Sequence, residues 1–292
     1  MKPAPFTLHE PSSVAAAVAL LAEFGDDAKI LAGGQSLTPM LAMRLTRFDH
    51  LVDLSRVDAL RAITAADGLL TIGAMTPQAV VERDPTVHRL APLVAEAVGL
   101  IGHRAVRTRG TIGGSLAHAD PASELPAVAL ALDAELTAVG PGGERRIPAT
   151  DFFLGTWTTA LADDEILTAV TFPAARTGDG YAIEELARRH GDFALAGAVA
   201  AVHVDAGTVT RARLALFGLA PQAMRAPAAE AALTHTAVAA VAPAVIGATA
   251  LTEADPGDDL HATAQYRRQV GAHLVALTVA RAITNAQESR DA

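Results

Sequence analysis

The sequence predicts an α+β chain in two parts: alternating strands and helices first, then an antiparallel sheet covered by helices. Three observations carry this. Residues 1–55 alternate short apolar strands with Ala/Leu-periodic helices. A stretch bearing Pro, Gly and Thr, 173–180, then interrupts the pattern and marks a domain boundary. Beyond it two long apolar runs, 194–204 and 209–216, are joined by Asp205-Ala206-Gly207 and followed by three helical segments, the last over about 263–286.

In chain order, Pro11-Ser12-Ser13 opens a helix that stops at Gly25, with proline near its start and glycine just past its end, the asymmetry that helix boundaries favour. Residues 28–32 form a short apolar strand that runs directly into Gly33-Gly34. Residues 36–45 read as helical and 50–54 as a strand. From Arg61 the texture changes to a strand at 69–72, a helix beginning near Thr76-Pro77 and a second over 87–98. A basic loop, 103–109, leads into Thr111-Ile112-Gly113-Gly114-Ser115 and a Pro121-led helix. Residues 134–138, 145–147 and 165–172 read as strands, with Pro141-Gly142-Gly143 as a hairpin turn, and 181–186 begins the carboxy-terminal sheet. No repeat at solenoid spacing is present.

Composition narrows the chemistry. The 292 residues suffice for one large or two modest domains. A net charge of −9 and a pI near 5.5 argue against a nucleic-acid partner, which needs a concentrated basic face. The chain has no cysteine, so it cannot hold an ordinary iron–sulfur cluster, a disulfide, a thiolate nucleophile or a Cys-based zinc site. Redox chemistry here must ride on an organic cofactor. The stretch 237–251 is the most apolar, but Pro243 breaks it and it is shorter than the ~20 residues of a membrane span. The first residues show no apolar core with a small-residue cleavage site, so the cytoplasm is the expected location.

Two segments share one grammar: an apolar strand, a Gly-Gly pair, a small polar residue, then a helix. They are Leu31-Ala32-Gly33-Gly34-Gln35-Ser36-Leu37 and Thr111-Ile112-Gly113-Gly114-Ser115-Leu116. Paired glycines admit positive φ and close backbone approach, so successive N–H groups can converge on an anion. A helix opening there adds unpaired donors. Two such bends suit the diphosphate of a dinucleotide, gripped from both sides by amide hydrogens. Taken singly, each reads more readily as a tight strand-to-helix turn, and neither G-x-G-x-x-G nor G-x-x-x-x-G-K-[ST] occurs.

These motifs, with Arg109-Gly110 before the second, Ala117-His118-Ala119-Asp120-Pro121-Ala122-Ser123-Glu124 after it and Gly191-Asp192-Phe193-Ala194 further on, closely resemble the FAD-binding medium subunit of the molybdenum-containing hydroxylases. That family includes the carbon monoxide dehydrogenase medium subunit and the flavin domain of xanthine dehydrogenase. The resemblance runs in order over nearly the whole chain. It implies an FAD domain of the vanillyl-alcohol-oxidase-like (PCMH) fold over residues 1–175, in subdomains of about 1–57 and 58–175. A C-terminal domain over 180–288 would follow. It further implies non-covalent FAD, with molybdopterin and 2Fe-2S clusters only in partner subunits, a small iron–sulfur chain and a large molybdopterin chain, paired as a dimer of heterotrimers.

By position, Lys29, Leu31, Ala32, Gly33, Gly34, Gln35, Ser36 and Leu37, with Thr111, Gly113, Gly114, Ser115 and Ala117, would hold the diphosphate and nearby sugar groups. Ile101 and His103 would lie at the cofactor's edge. Asp120 and Glu124 would accept from its hydroxyls, and Leu167 and Phe193 would line the flavin. The chain departs from the family at Glu124, where Asp is common, and at Glu184 and Glu185, where many relatives carry Lys. Val106 and Thr108 also differ from the usual pattern.

Other motifs read as structural. Gly113-Gly114-Ser115-Leu116-Ala117 lacks the final glycine of a nucleophile elbow, and a triad draws its members from distant segments, so His118 and Asp120 do not make a hydrolase. They lack further ligands for a metal and read as hydrogen-bonding or packing groups. The charges of 103–109 read one by one as solvated. Glu184 and Glu185, adjacent on a strand, point to opposite faces and are not an acid–base dyad. The function expected is an FAD-carrying electron-transfer subunit that accepts electrons from an iron–sulfur partner and passes them to an external acceptor, with no catalytic side chain of its own. The rivals are a self-sufficient flavin oxidoreductase and a scaffold that has lost its cofactor.

Overall fold

The computed structural model describes residues 2–291, so Met1 and Ala292 lie outside it. The first unit comprises β1 (Thr7–His9), α1 (Val14–Phe24), β2 (Ala28–Leu31), α2 (Leu37–Ala42) and β3 (His50–Asp53). Ser13 caps α1 by accepting from the Ala16 N–H at 3.2 Å. The three strands form a parallel sheet in the order β1-β3-β2, so the chain leaves β2 and β3 on the same edge. Ala17, Leu21 and Val52 pack between sheet and helix.

The second unit begins with β4 (Ile63–Ala66), β5 (Leu69–Gly73), α3 (Gln78–Val81), α4 (Pro85–Leu90), α5 (Pro92–Leu100), α6 (Arg104–Arg107), α7 (Ile112–His118) and α8 (Glu124–Ala131). It continues through β6 (Glu135–Gly140), β7 (Gly143–Pro148), α9 (Ala149–Phe152), β8 (Phe153–Gly155), β9 (Thr158–Thr159) and β10 (Ile166–Pro173). Its main sheet is antiparallel throughout, in the order β4-β5-β10-β6-β7. The helix expected over 87–98 is two helices, because Pro92 lacks an N–H and holds Ala91 out of the helical region at φ −143°, ψ 62°. The Pro121-led helix starts only at Glu124, since Asp120 first folds a turn that takes the N–H of Ala122 on its side chain and that of Ser123 on its carbonyl.

The third unit comprises β11 (Asp179–Ala187), β12 (Ala194–Asp205), β13 (Thr208–Phe217), β14 (Met224–Arg225), α10 (Pro227–Leu233), β15 (Thr236–Ala237), α11 (Pro243–Ala250) and α12 (Ala264–Asp291). β11 to β14 form an antiparallel meander, with β15 also against β13. One face packs on α10 to α12 through residues such as Ala182, Val202, Leu214 and Val279. The other face, through Ile183, Val199, Ala215 and Phe217, joins Leu125, Val128 and Leu136 of the second unit in a single apolar core. No helix among the described residues is long and apolar enough to cross a membrane.

Candidate cofactor site

The two parallel strands β2 and β3 end side by side, and the chain beyond them builds the site. After Leu31 the backbone turns at Gly33-Gly34, with Gly34 at φ 72°. Among the described residues the N–H groups of Gly33, Gly34, Gln35 and Ser36 have no acceptor, although Gln35 folds its side-chain amide back to donate to the Gly33 carbonyl at 3.2 Å. Four consecutive free donors on such a bend form a concave anion site. The first three border a cavity of about 400 Å³ lined by Leu31, Ala32, Gly33, Gly34, Gln35, Thr38, Pro39, Asp53, Ser55 and Arg109.

The second bend lies directly against the first. A Cβ on Gly33 would stand 2.1 Å from the Arg109 carbonyl oxygen, and one on Gly114 would stand 3.3 Å from the Ala32 Cβ. Side-chain-free backbone on both sides is what lets them touch. The expectation that both bends offer amide hydrogens is corrected here. Ile112 donates to the Thr76 carbonyl, Gly113 to that of Ala74, Gly114 to the Thr111 hydroxyl and Ser115 to the Thr111 carbonyl. Two of these amides donate to Thr111, which caps α7, and the other two tie the helix to the loop after β5. The second bend therefore supplies shape, and the first supplies donors.

Beyond α7, Ser115 and Ser123 bring their hydroxyls to 3.1 Å. Asp120 accepts from the Ala122 N–H at 2.9 Å and from the Trp157 indole at 3.3 Å. His118 stands 3.9 Å from Asp120 and stacks on Trp157 with centroids 6.2 Å apart. Burial holds the His118 imidazole below its usual range despite the nearby Asp120 carboxylate, so it is neutral at pH 7. Glu124 is 7% exposed. Burial, reinforced by the negative charges of Glu185 and Asp120, pushes its carboxyl up to about 8. An acid in that state offers a cofactor hydroxyl an O–H donor as well as an acceptor.

A third group forms a rim. Gly191, at φ 83°, presses against Gly102 and His103, where a Cβ would come within 2.9 Å of the His103 ring. The 101–109 segment is held by Arg107, which is buried rather than solvated. Its guanidinium donates to both Glu82 oxygens at 3.0 and 2.9 Å and to the carbonyls of Ile101 and Gly102 at 3.1 and 3.2 Å. Phe193 is 67% exposed, so it is not a core residue. Leu167 is buried in the shared core, and half-buried Ile101 and Ala117 pack against that core. Lys29 lies outside the cavity, exposed, with its ammonium 5.8 Å from the Phe48 ring centroid. Leu37 opens α2.

The residues the sequence missed are Thr38, Pro39, Asp53, Ser55 and Arg109 in the cavity wall. Asp53 and Ser55 carried a readable signal: they end the strand paired with β2, and ligands gather beyond the carboxyl ends of parallel strands. Free amides, a cation and bare backbone fit a diphosphate-bridged dinucleotide. Among the described residues no group of three or more His, Asp or Glu side chains could hold a metal ion.

Comparison with known proteins agrees with this geometry. A family profile described as FAD binding domain in molybdopterin dehydrogenase matches residues 4–175, and one described as CO dehydrogenase flavoprotein C-terminal domain matches 181–282. The carbon monoxide dehydrogenase medium chain of Hydrogenophaga pseudoflava is 39% identical over 275 residues, covering 94% of this chain and 96% of that one. The 6-hydroxypseudooxynicotine dehydrogenase complex subunit alpha of Paenarthrobacter nicotinovorans is 40% identical over 292 residues, covering 100% and 99%. A solved carbon monoxide dehydrogenase from Hydrogenophaga pseudoflava, lacking the Mo-pyranopterin moiety of its molybdenum cofactor, superposes with a TM-score of 0.96 at 41% identity over 98% of this chain and 99% of that one. The chain therefore belongs to the family of FAD-binding medium subunits of the molybdenum hydroxylases, an oxidoreductase flavoprotein with an electron-transfer role.

Proposed function

We propose that this chain holds FAD non-covalently with the diphosphate on the free amides of Gly33 to Ser36, and with Arg109 as its counter-charge. Gly113 and Gly114 form the floor, and Thr111 and Ser115 fix α7 beneath the cofactor. Leu31 and Ala32 shape the near wall, with Leu37 opening α2 behind them and Lys29 outside the cavity. Asp120, Glu124 and Ala117 border the sugar and ribityl groups, while Ile101, His103, Leu167 and Phe193 take the two ring systems. Bound FAD supplies the redox chemistry, and the protein's part is to bind, orient and tune it. Two domains, 1–175 (subdomains about 1–57 and 58–175) and 180–288, divide the work; the grouping of strands into sheets and the extents of the two profile matches support that division.

The electrons are proposed to come from a small iron–sulfur subunit, with the substrate oxidised on a large molybdopterin subunit and the whole arranged as a dimer of heterotrimers in the cytoplasm. The cysteine-free sequence supports placing the clusters in another chain. Mass measurement of the purified complex and cell fractionation test the stoichiometry and the location. One observation carries the cofactor reading: unpaired amides of Gly33, Gly34 and Gln35 border a cavity, and a second side-chain-free bend packs directly against that loop. Its test is the visible spectrum of the purified chain. Wild type is expected to carry or take up flavin, and Gly34→Val and Gly114→Val are each expected to lose it while remaining folded by circular dichroism. Flavin binding that survives both substitutions rules the cradle out.

A further inference from the structure

One buried cation of the carboxy-terminal domain has no part in the diphosphate cradle, yet its hydrogen bonds lead toward it. Arg267 lies in the opening turn of α12 and is 7% exposed. A charge taken out of water is costly unless hydrogen bonds replace the water, so the groups it meets show what its burial achieves. Its Nη2 donates to one oxygen of the Asp259 carboxylate at 2.6 Å. The other oxygen accepts from the N–H groups of His261 and Ala262 at 2.8 and 2.9 Å, which aims the carboxylate. Its Nη1 donates to two carbonyls: that of Leu195, near the start of β12, and that of Gly218, just past the end of β13, the latter at 3.1 Å.

Each carbonyl is one short step from a residue proposed to border the cofactor. Leu195 lies two residues after Phe193, the exposed aromatic assigned to the ring systems. Gly218 bends back at φ 69°, and its N–H donates to the Pro121 carbonyl at 2.7 Å. Pro121 follows Asp120 in the turn that opens onto Glu124. A Cβ on Gly218 would stand 3.0 Å from the Ala194 carbonyl oxygen and 3.1 Å from that of Leu195, so the two strand ends are pressed together where the guanidinium spans them. A planar fork holds such fixed acceptors at once, as a single ammonium does not.

We propose that Arg267 is a positioning residue for the cofactor. From α12 it fixes the start of β12, and with it Phe193, and it fixes the Gly218 bend, and with it the turn from Asp120 to Glu124. The carboxy-terminal domain thereby sets two borders of a site whose diphosphate cradle lies wholly in the first domain. A buried ion pair adds little to stability over apolar packing of the same shape, so what Arg267 supplies is the placement of its acceptors. Without the fork, α12 still packs on the sheet through Val275, Val279 and Ala282, but two carbonyls lose their donor and the strand ends are free to part. The relay from Arg267 through Gly218 to Pro121 stands on hydrogen bonds alone; its meaning for the cofactor rests on the FAD reading.

The chain's only tryptophan reports on the relay, because the Trp157 indole donates to Asp120 at 3.3 Å. In the flavin-free full chain the near-ultraviolet circular dichroism of Trp157 is expected to weaken in Arg267→Met and, in smaller measure, in Arg267→Lys, which keeps the charge without the fork. The control is Val279→Ala, three turns further along α12, which should lower the melting temperature and leave that band as in wild type. In the FAD-loaded chain both Arg267 variants should release flavin roughly 3- to 10-fold faster than wild type and alter its visible circular dichroism, and Val279→Ala should do neither. A Trp157 band that stays in place in the Arg267 variants, or that Val279→Ala moves as far, overturns the relay. Flavin release and visible signal unchanged in a variant whose Trp157 band has moved overturn the cofactor role. If Arg267→Met does not fold, Arg267→Lys carries both comparisons. A wild-type chain that takes up no flavin sinks the FAD reading and the cofactor role with it, while the Trp157 arm still decides the relay.

Discussion

At Arg109 one residue serves two purposes. Its carbonyl meets the bare α-carbon of Gly33, and the same residue lines the cavity beside the free amides of the first bend. Among the described residues no ion pair includes Arg109, so its charge is available to an anion. A charge-assisted hydrogen bond contributes about 1.5–3 kcal/mol, so Arg109→Met is expected to weaken FAD binding by roughly 10- to 100-fold. Fluorescence titration measures this, and the wild-type affinity should fall with added salt more steeply than that of the variant. Gly34 is constrained differently: at φ 72°, a side chain is strained by about 1–2 kcal/mol, and its Cβ would also stand 2.8 Å from the Thr38 hydroxyl. The glycines were legible in the sequence because their chemistry is local. Arg109 reads in the sequence only as part of a motif, since the Gly33-Gly34 bend that shares its cavity lies far away along the chain.

Among the elements, the 101–109 segment shows how a charge run acquires structure. Residue by residue it reads as solvated, yet α6 forms within it and Arg107 turns inward to Glu82 after α3. Arg107→Met leaves Glu82 and two carbonyls without a donor. The expected cost is about 2–3 kcal/mol, less than the ~3–5 of a fully buried pair because Glu82 keeps some water. The pH dependence follows from Glu82, whose carboxyl the hydrogen bond and charge of Arg107 hold below 4.5. Its contribution is present above the ordinary value and is lost as pH falls through the lowered one. Thermal melts should therefore show wild type losing more stability than Arg107→Met in that acid window, and parallel curves would disprove the role. The split at Ala91 is the element-scale counterpart: the periodicity over 87–98 is that of one helix, and only Pro92 divides it.

At the scale of the whole molecule, the apolar core that runs from α8 to the inner face of the β11–β14 sheet makes the two halves one packing unit. Leu125, 1% exposed, stands within it. Leu125→Ala is expected to cost about 2–5 kcal/mol and to lower a single unfolding transition. Calorimetry that resolves two transitions, with only the first moved, would show the halves to be independent. The sequence by itself determined the order of strands and helices, the two glycine bends, the hairpin of β12 and β13 and the absence of any thiol chemistry. Each of these follows from neighbours along the chain: side-chain period, positive-φ turns and composition. Only the tertiary structure decided that Ala74, Thr76 and Thr111 consume the amides of the second bend, that Arg107 is buried and that Phe193 is exposed. Hydrogen-bond satisfaction and burial depend on which distant segments come to share a dielectric, and no local pattern of residues encodes that.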